Sequence, residues 1–272
     1  MKKNYFLAIL LFINTAFADH TSAFTTFLQT WQCKNCQLAE SDFSNFSTLK
    51  IAQHQTTLAP CSQTLSLAGA NLTRAIFDHA NFTACLNKTV TPFSQIDFSN
   101  ADLTNANFND SVFYGVSFAG ANLPNTQLSR AQLNLSDFSQ ANFSHARLNQ
   151  VQSKKDNEHG WGSNFYETNF CGADLTQAQL YGYFRGANFC NTKLNGAVFV
   201  TAKGTIPSNI PELKTRTGAG FWSGINFTNA DLTGARFYEE NGQSANLSLA
   251  RFCKTIMPDG TINNRDCPIS KH

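Results

Sequence analysis

The sequence predicts a repeat solenoid whose chain turns a corner every five residues, and three observations carry that expectation. From Phe93 to Leu148 every fifth residue is Phe or Leu: Phe93, Phe98, Leu103, Phe108, Phe113, Phe118, Leu123, Leu128, Leu133, Phe138, Phe143 and Leu148. Two residues before these sits a small or β-branched residue (Ala101, Ala106, Ser111, Val116, Ala121, Thr126, Ala131), and one before is often Asp or Asn (Asp97, Asp102, Asn107, Asn122, Asp137, Asn142). A period of five fits neither the 3.6 of a helix nor the 2 of a flat strand. Charged residues make up only 14 % of the 272, against about 25 % in ordinary globular proteins, which excludes a coiled coil, a charged tail and a nucleic-acid-coating surface.

Taken in order, residues 1–18 read as an export leader. Lys2 and Lys3 precede an apolar stretch from Tyr5 to Ile13, and Ala16-Phe17-Ala18 forms a small-x-small cleavage site. The stretch is too short for a transmembrane helix, so no integral membrane span is expected. No Cys follows the cleavage site, which argues against a lipid anchor. The mature chain then starts at Asp19 and is formally neutral, because the full chain carries 20 Lys and Arg against 18 Asp and Glu and the leader takes two lysines with it. Residues 19–37 are expected to cap the solenoid. Phe24, Phe27, Leu28 and Trp31 follow an i, i+3, i+4, i+7 pattern behind Ser22, a short amphipathic helix. Residues 38–252 carry the repeat, with corner insertions at 83–92, 149–164 and 200–221, and residues 253–272 form a C-terminal cap. In that cap a Pro258-Asp259-Gly260 turn between two β-prone runs signals a hairpin.

Strings such as ADLTNANF, AGANL and TNADLTGARF resemble the pentapeptide-repeat family, whose unit is Ala-Asp/Asn-Leu-x-x. The resemblance implies an all-β fold, a right-handed quadrilateral β-helix with four pentapeptides per coil, the central Leu or Phe and the preceding small residue pointing inward. Phase counting on that basis groups Leu67, Leu72, Phe77 and Phe82 as one coil and the twelve residues from Phe93 as three. Phe165, Phe170, Leu175, Leu180, Phe184, Phe189, Leu194 and Phe199 make two more, and a looser group starts at Trp222. The irregularities are 6 extra residues before Phe93, 12 before Phe165, 18 before Trp222 and one deletion before Phe184. All then fall at one corner, between the fourth face and the first.

An even number of cysteines, eight, behind an export leader points to disulfides. Cys171 and Cys190 each follow an inward Phe four repeats apart, so they sit on adjacent coils about 4.8 Å apart, within disulfide range. Cys61 and Cys85 lie one coil apart in an irregular corner. Cys253 and Cys267 flank the hairpin, and Cys33 and Cys36 are left to each other. The Cys33/Cys36 pair also allows a redox reading, which needs a helix N-terminus to activate a thiol.

Three function classes compete. The family's best-known activity, DNA mimicry against a type II topoisomerase, needs a strongly anionic cytoplasmic column, and a neutral, exported chain does not fit it. A carbohydrate-active enzyme is the second. Asp97 and Asp137 project from one face two coils apart, about 10 Å, just beyond the range of roughly 6.5–9.5 Å for an inverting carboxylate pair, with Ser117 between them. Asp at this position recurs at Asp42, Asp102, Asp174 and Asp231, where its ordinary role is to bond turn backbone. The cluster Asp156, Glu158 and His159 has ligand chemistry but reads as a solvated loop. No catalytic, cofactor-binding or metal residue is therefore assigned. The third class is a non-catalytic binding or structural scaffold of the cell envelope or secreted space. Its partner would be a protein or envelope component, not nucleic acid. Its candidate face is the first, where Val112, Tyr114, Leu135, Tyr166 and Tyr183 interrupt an otherwise polar surface, with Trp161 in an insertion placed to cover them.

Overall fold

In a computed structural model, residues 37–39, 65–77, 79–83, 96–157, 160–202 and 222–268 are described. The strands are β1 (Leu65–Ser66), β2 (Asn81–Thr83), β3 (Ile96–Asp97), β4 (Val112–Tyr114), β5 (Val116–Ser117), β6 (Gln132–Asn134), β7 (Ser163–Asn164), β8 (Gln179–Tyr183), β9 (Val198–Thr201), β10 (Arg236–Tyr238), β11 (Thr255–Ile256) and β12 (Ile262–Asn263). Their shortness follows from the repeat. At the regular corners the chain closes a four-residue turn behind the inward residue, as where Ala101 N–H donates to Phe98 C=O at 3.1 Å and Ala121 N–H to Phe118 C=O at 2.9 Å. The third turn residue lies in the left-handed region: Asn100 at φ 56°, Asn105 at 59°, Gly120 at 67°. Two or three extended residues are all that fit between such corners. No helix occurs among the described residues; the expected N-terminal capping helix lies outside them.

Parallel pairing stacks each coil on the next. Register pairs Ile96 with Val116, and Val112 with Gln132. Bridges Asp102–Asn122–Asn142 and Asn107–Gln127–Arg147 fix the other two faces. The cross-section is thus four-sided. The second face stacks Phe98, Phe118, Phe138, Phe165, Phe184 and Trp222 nearly parallel, at centroid separations of 4.9, 5.1, 5.4, 5.1 and 5.6 Å. The third stacks Phe143, Phe170, Phe189, Phe227 and Phe252. Burying each of these large side chains is worth about 1.5–3 kcal/mol, and the column's stability is a sum over neighbouring coils.

The register corrects the phase count on two points. β2 pairs with β4, so Phe82 shares a face with Phe113 and the coil begun at Leu67 starts on the second face. Further along, Phe165 stacks on Phe138, not on the first face. Regular pairing continues through the bridges Gln132–Gln152–Gln179, which puts Ser153 in the first-face inward place between Leu133 and Leu180. A serine is tolerated there because its buried hydroxyl accepts Tyr181 N–H at 2.9 Å and donates to Tyr181 C=O at 3.1 Å. The second insertion therefore leaves after Ser153 rather than at 149. All irregularities still share one corner, that between the first and second faces.

On the outer surface of the third face, the asparagine before the inward position does two jobs. Asn142 Oδ1 accepts Ser144 N–H at 3.1 Å, closing the turn, and amides bond from coil to coil: Asn142 to Asn122 at 3.0 Å, Asn169 to Asn142 at 2.9 Å, Asn188 to Asn169 and Asn226 to Asn188 at 3.0 Å. At the C-terminal end β11 and β12 form an antiparallel hairpin. The tail behind it imitates one more coil. Asp266 N–H donates to Phe252 C=O and its carboxylate accepts Phe252 N–H, both at 2.8 Å, while the Arg265 guanidinium lies 5.1 Å from the Phe252 ring centroid. Polar termination of an open sheet edge in this manner blocks end-on strand pairing.

A candidate binding surface at the irregular corner

The insertion after Ser153 folds back against the column at the corner between the first and second faces. Gly162 packs against Tyr181; a Cβ there would approach the ring within 2.7 Å and Gly182 Cα within 2.9 Å. Tyr181 Oη donates to Gly160 C=O at 3.2 Å. Lys155 Nζ pairs with Glu240 Oε1 at 2.5 Å, joining the insertion to the chain after β10. Beside it Thr201 Oγ1 donates to Glu239 Oε2 at 2.8 Å. Tyr181, Tyr183, Ala202 and Val200 form a hydrophobic cluster separate from the core. Burial, with Glu240 beside them, pushes both phenols above their ordinary range, so they stay neutral donors at any physiological pH.

Of the five residues expected on one stripe, Val112 stays on the outer side of the first face, and Tyr114, Leu135, Tyr166 and Tyr183 are distributed around this corner. Tyr114 follows Phe113 on the first face and is half-buried. Leu135 occupies the corner itself, 1 % exposed, with φ 50° where the preceding coil has Gly115 at 70°. Left-handed backbone is costly for a branched apolar residue, and burial of its side chain offsets that cost. Tyr166 lies on the second face because Phe165 does, and is 9 % exposed; Tyr183 is 6 % exposed. Trp161, half-buried, accepts Asp156 N–H at its carbonyl, 2.8 Å, inside the insertion. The stripe is thus an aromatic corner, largely covered. Tyr181, absent from the sequence reading, is its centre. Its signal in the sequence is the aromatic run Tyr181-Gly182-Tyr183-Phe184 behind Leu180, obscured when Phe165 is counted on the first face.

Asp97, Ser117 and Asp137 do stand in vertical register. Both carboxylates are committed to turns: Asp97 Oδ1 accepts Ser99 N–H at 2.8 Å, and Asp137 Oδ1 accepts Ser139 N–H and Asn164 Nδ2–H, each at 2.9 Å. Desolvation raises the Asp137 carboxyl above its ordinary value, against the lowering effect of those bonds. Glu158 and His159 lie outside the described residues. Disulfides join Cys171 to Cys190 and Cys253 to Cys267, each with a Cα separation of 4.6 Å. Cys33, Cys36, Cys61 and Cys85 lie outside the described residues.

Comparison with curated proteins gives no match. Among solved structures, the chain is similar to HetL, a pentapeptide repeat protein involved in heterocyst differentiation regulation from the cyanobacterium Nostoc sp., at 20 % identity over 88 % of this chain and 98 % of that one, with a TM-score of 0.24. It is similar to trypsin-treated QnrB1, a plasmid-mediated fluoroquinolone resistance protein, at 16 % identity over 80 % and 88 %, TM-score 0.32. A pentapeptide repeat protein from the cyanobacterium Cyanothece matches at 21 % identity over 63 % and 97 %, TM-score 0.29. Eight copies of the pentapeptide repeat model match residues 66–86, 93–118, 111–150, 161–182 and 223–257, together half of the chain, and the chain belongs to the pentapeptide repeat family of right-handed β-helices.

Proposed function

We propose that the protein is a non-catalytic binding scaffold of the cell envelope or secreted space. The observation that carries this reading is the concentration of every irregularity at one corner of an otherwise regular column. A solenoid tolerates insertions at any corner at little thermodynamic cost, and those that recur at one corner build a single elaborated surface, the usual place for recognition. The leader at residues 1–18, the two disulfides and the absence, among the described residues, of a helix long and apolar enough to cross a membrane support an exported location. The carboxylates that come into register serve turns rather than face an open site. The test is site-specific photo-cross-linking in envelope extracts, with the reactive group placed either at Lys155 on the corner or at Lys193 on the fourth face. Saturable adducts from Lys155 and none from Lys193 are expected; equal adducts from both, or none, would contradict the reading.

A further inference from the structure

The outer surface of the first face carries three glutamines whose side chains make no hydrogen bond among the described residues. Val112, Gln132, Gln152, Gln179 and Val198 lie in vertical register, one per coil. Gln132, Gln152 and Gln179 are exposed. The contrast with the third face is instructive. There the stacked asparagine amides bond to one another at 2.9–3.0 Å; on the first face, in equally close register, the three glutamine side chains make no hydrogen bond to the described residues. Each therefore presents one acceptor and two donors outward, repeated at the coil spacing of about 4.8 Å. Half-buried Val112 and Val198 bound the track; half-buried Tyr114 follows Val112 at one end, and at the other the register passes from Val198 to exposed Arg236, which half-buried Tyr238 follows.

We propose that this track binds an extended, uncharged β-1,4-linked N-acetylhexosamine chain; the proposal rests on the binding-scaffold reading and names its ligand. Chemistry selects that class. Backbone donors and acceptors of the first face are consumed in pairing between coils, so a peptide cannot add to this face as a strand, which main-chain pairing requires. Nucleic acid demands phosphate-neutralising cations; the glutamine track itself is uncharged, and the single cations Lys154, two residues after Gln152, and Arg236, one coil beyond Val198, fall short of one charge per phosphate. An acetamido group offers the N–H and C=O that a primary amide pairs with, in the manner the third face pairs its own amides. Acetamido methyls and the apolar sugar face suit the two valines and the Tyr114 ring that follows Val112.

The test is calorimetric titration of the mature, disulfide-bonded protein with a hexamer of β-1,4-linked N-acetylglucosamine, using a single-stranded oligonucleotide as the charged comparison. The variant is the triple Gln132→Ala, Gln152→Ala, Gln179→Ala, whose exposed positions leave the core intact; an unchanged Tm verifies this, and should it fall, Gln152→Glu alone serves instead. Saturable binding of the hexamer, weakened at least about tenfold by the variant, is expected. No binding, binding that the variant leaves unchanged, or preference for the oligonucleotide would overturn the proposal. If the hexamer fails while Lys155 still cross-links a partner, the glycan assignment falls and the scaffold reading stands.

Discussion

Phe118 is packed between Phe98 and Phe138, with Phe108 and Phe113 edge-on to it. Pairing between coils fixes the backbone on either side, so the neighbours cannot close a gap. Phe118→Ala should cost about 3–5 kcal/mol, measured by chemical denaturation; a loss under about 1 kcal/mol would mean that the column collapses locally. Asp137 makes a second prediction. Burial raises its carboxyl above the ordinary value of 3.8, so the fold favours the neutral acid. Its contribution to stability is fully present below pH 3.8 and is lost as pH rises through the raised folded value. Asp137→Asn removes the charge and keeps an acceptor for Ser139 N–H and Asn164 Nδ2–H, as asparagine does throughout the third face. The variant should be more stable than the parent at pH 7, and the advantage should shrink to nothing near pH 3. An advantage that persists unchanged at pH 3 would assign it to packing instead.

The insertion between Ser153 and Ser163 is held to the column by Tyr181, Glu240 and Lys155. The Lys155–Glu240 pair is partly exposed and worth little by itself. Tyr181 supplies both buried area and a polar anchor. Tyr181→Phe keeps the ring and removes the bond to Gly160, so limited proteolysis should cut within residues 154–162 several times faster, while Tm shifts by no more than a few degrees. Unchanged cleavage would show that the loop is held elsewhere. The sequence made this element only partly legible. Period-five Phe and Leu spacing is loud because each such residue fills the column, which is why the ring ladder from Phe98 to Phe138 could be read directly. Ser153 fills the same place silently, its hydroxyl satisfied by backbone that no local pattern reveals, and missing it displaced every later coil by one face. The turn position was obscure for a related reason. Coil pairing imposes left-handed backbone on Arg130, Leu135, Gln140 and His145 alike, so no consistent glycine marks it.

At the scale of the whole molecule, three faces are plain and one corner is elaborated. Asparagine ladders and stacked rings make the column a rigid support, the Cys171–Cys190 bond ties adjacent coils, and the Cys253–Cys267 bond pins the tail that terminates the sheet. Each loop closed by these bonds spans fewer than 20 residues, for which cross-linking contributes about 3 kcal/mol. Such a construction holds a surface still, and among the described residues the carboxylates in vertical register, Asp97 and Asp137, are engaged by turns. The central claim, binding without turnover, is tested most directly by incubating the purified protein with solubilised envelope material and following both the complex and the mass of the bound component over time. A saturable, stoichiometric complex from which the component is recovered with unchanged mass is predicted. Progressive cleavage or modification of that component, or the absence of any saturable complex, would contradict the account.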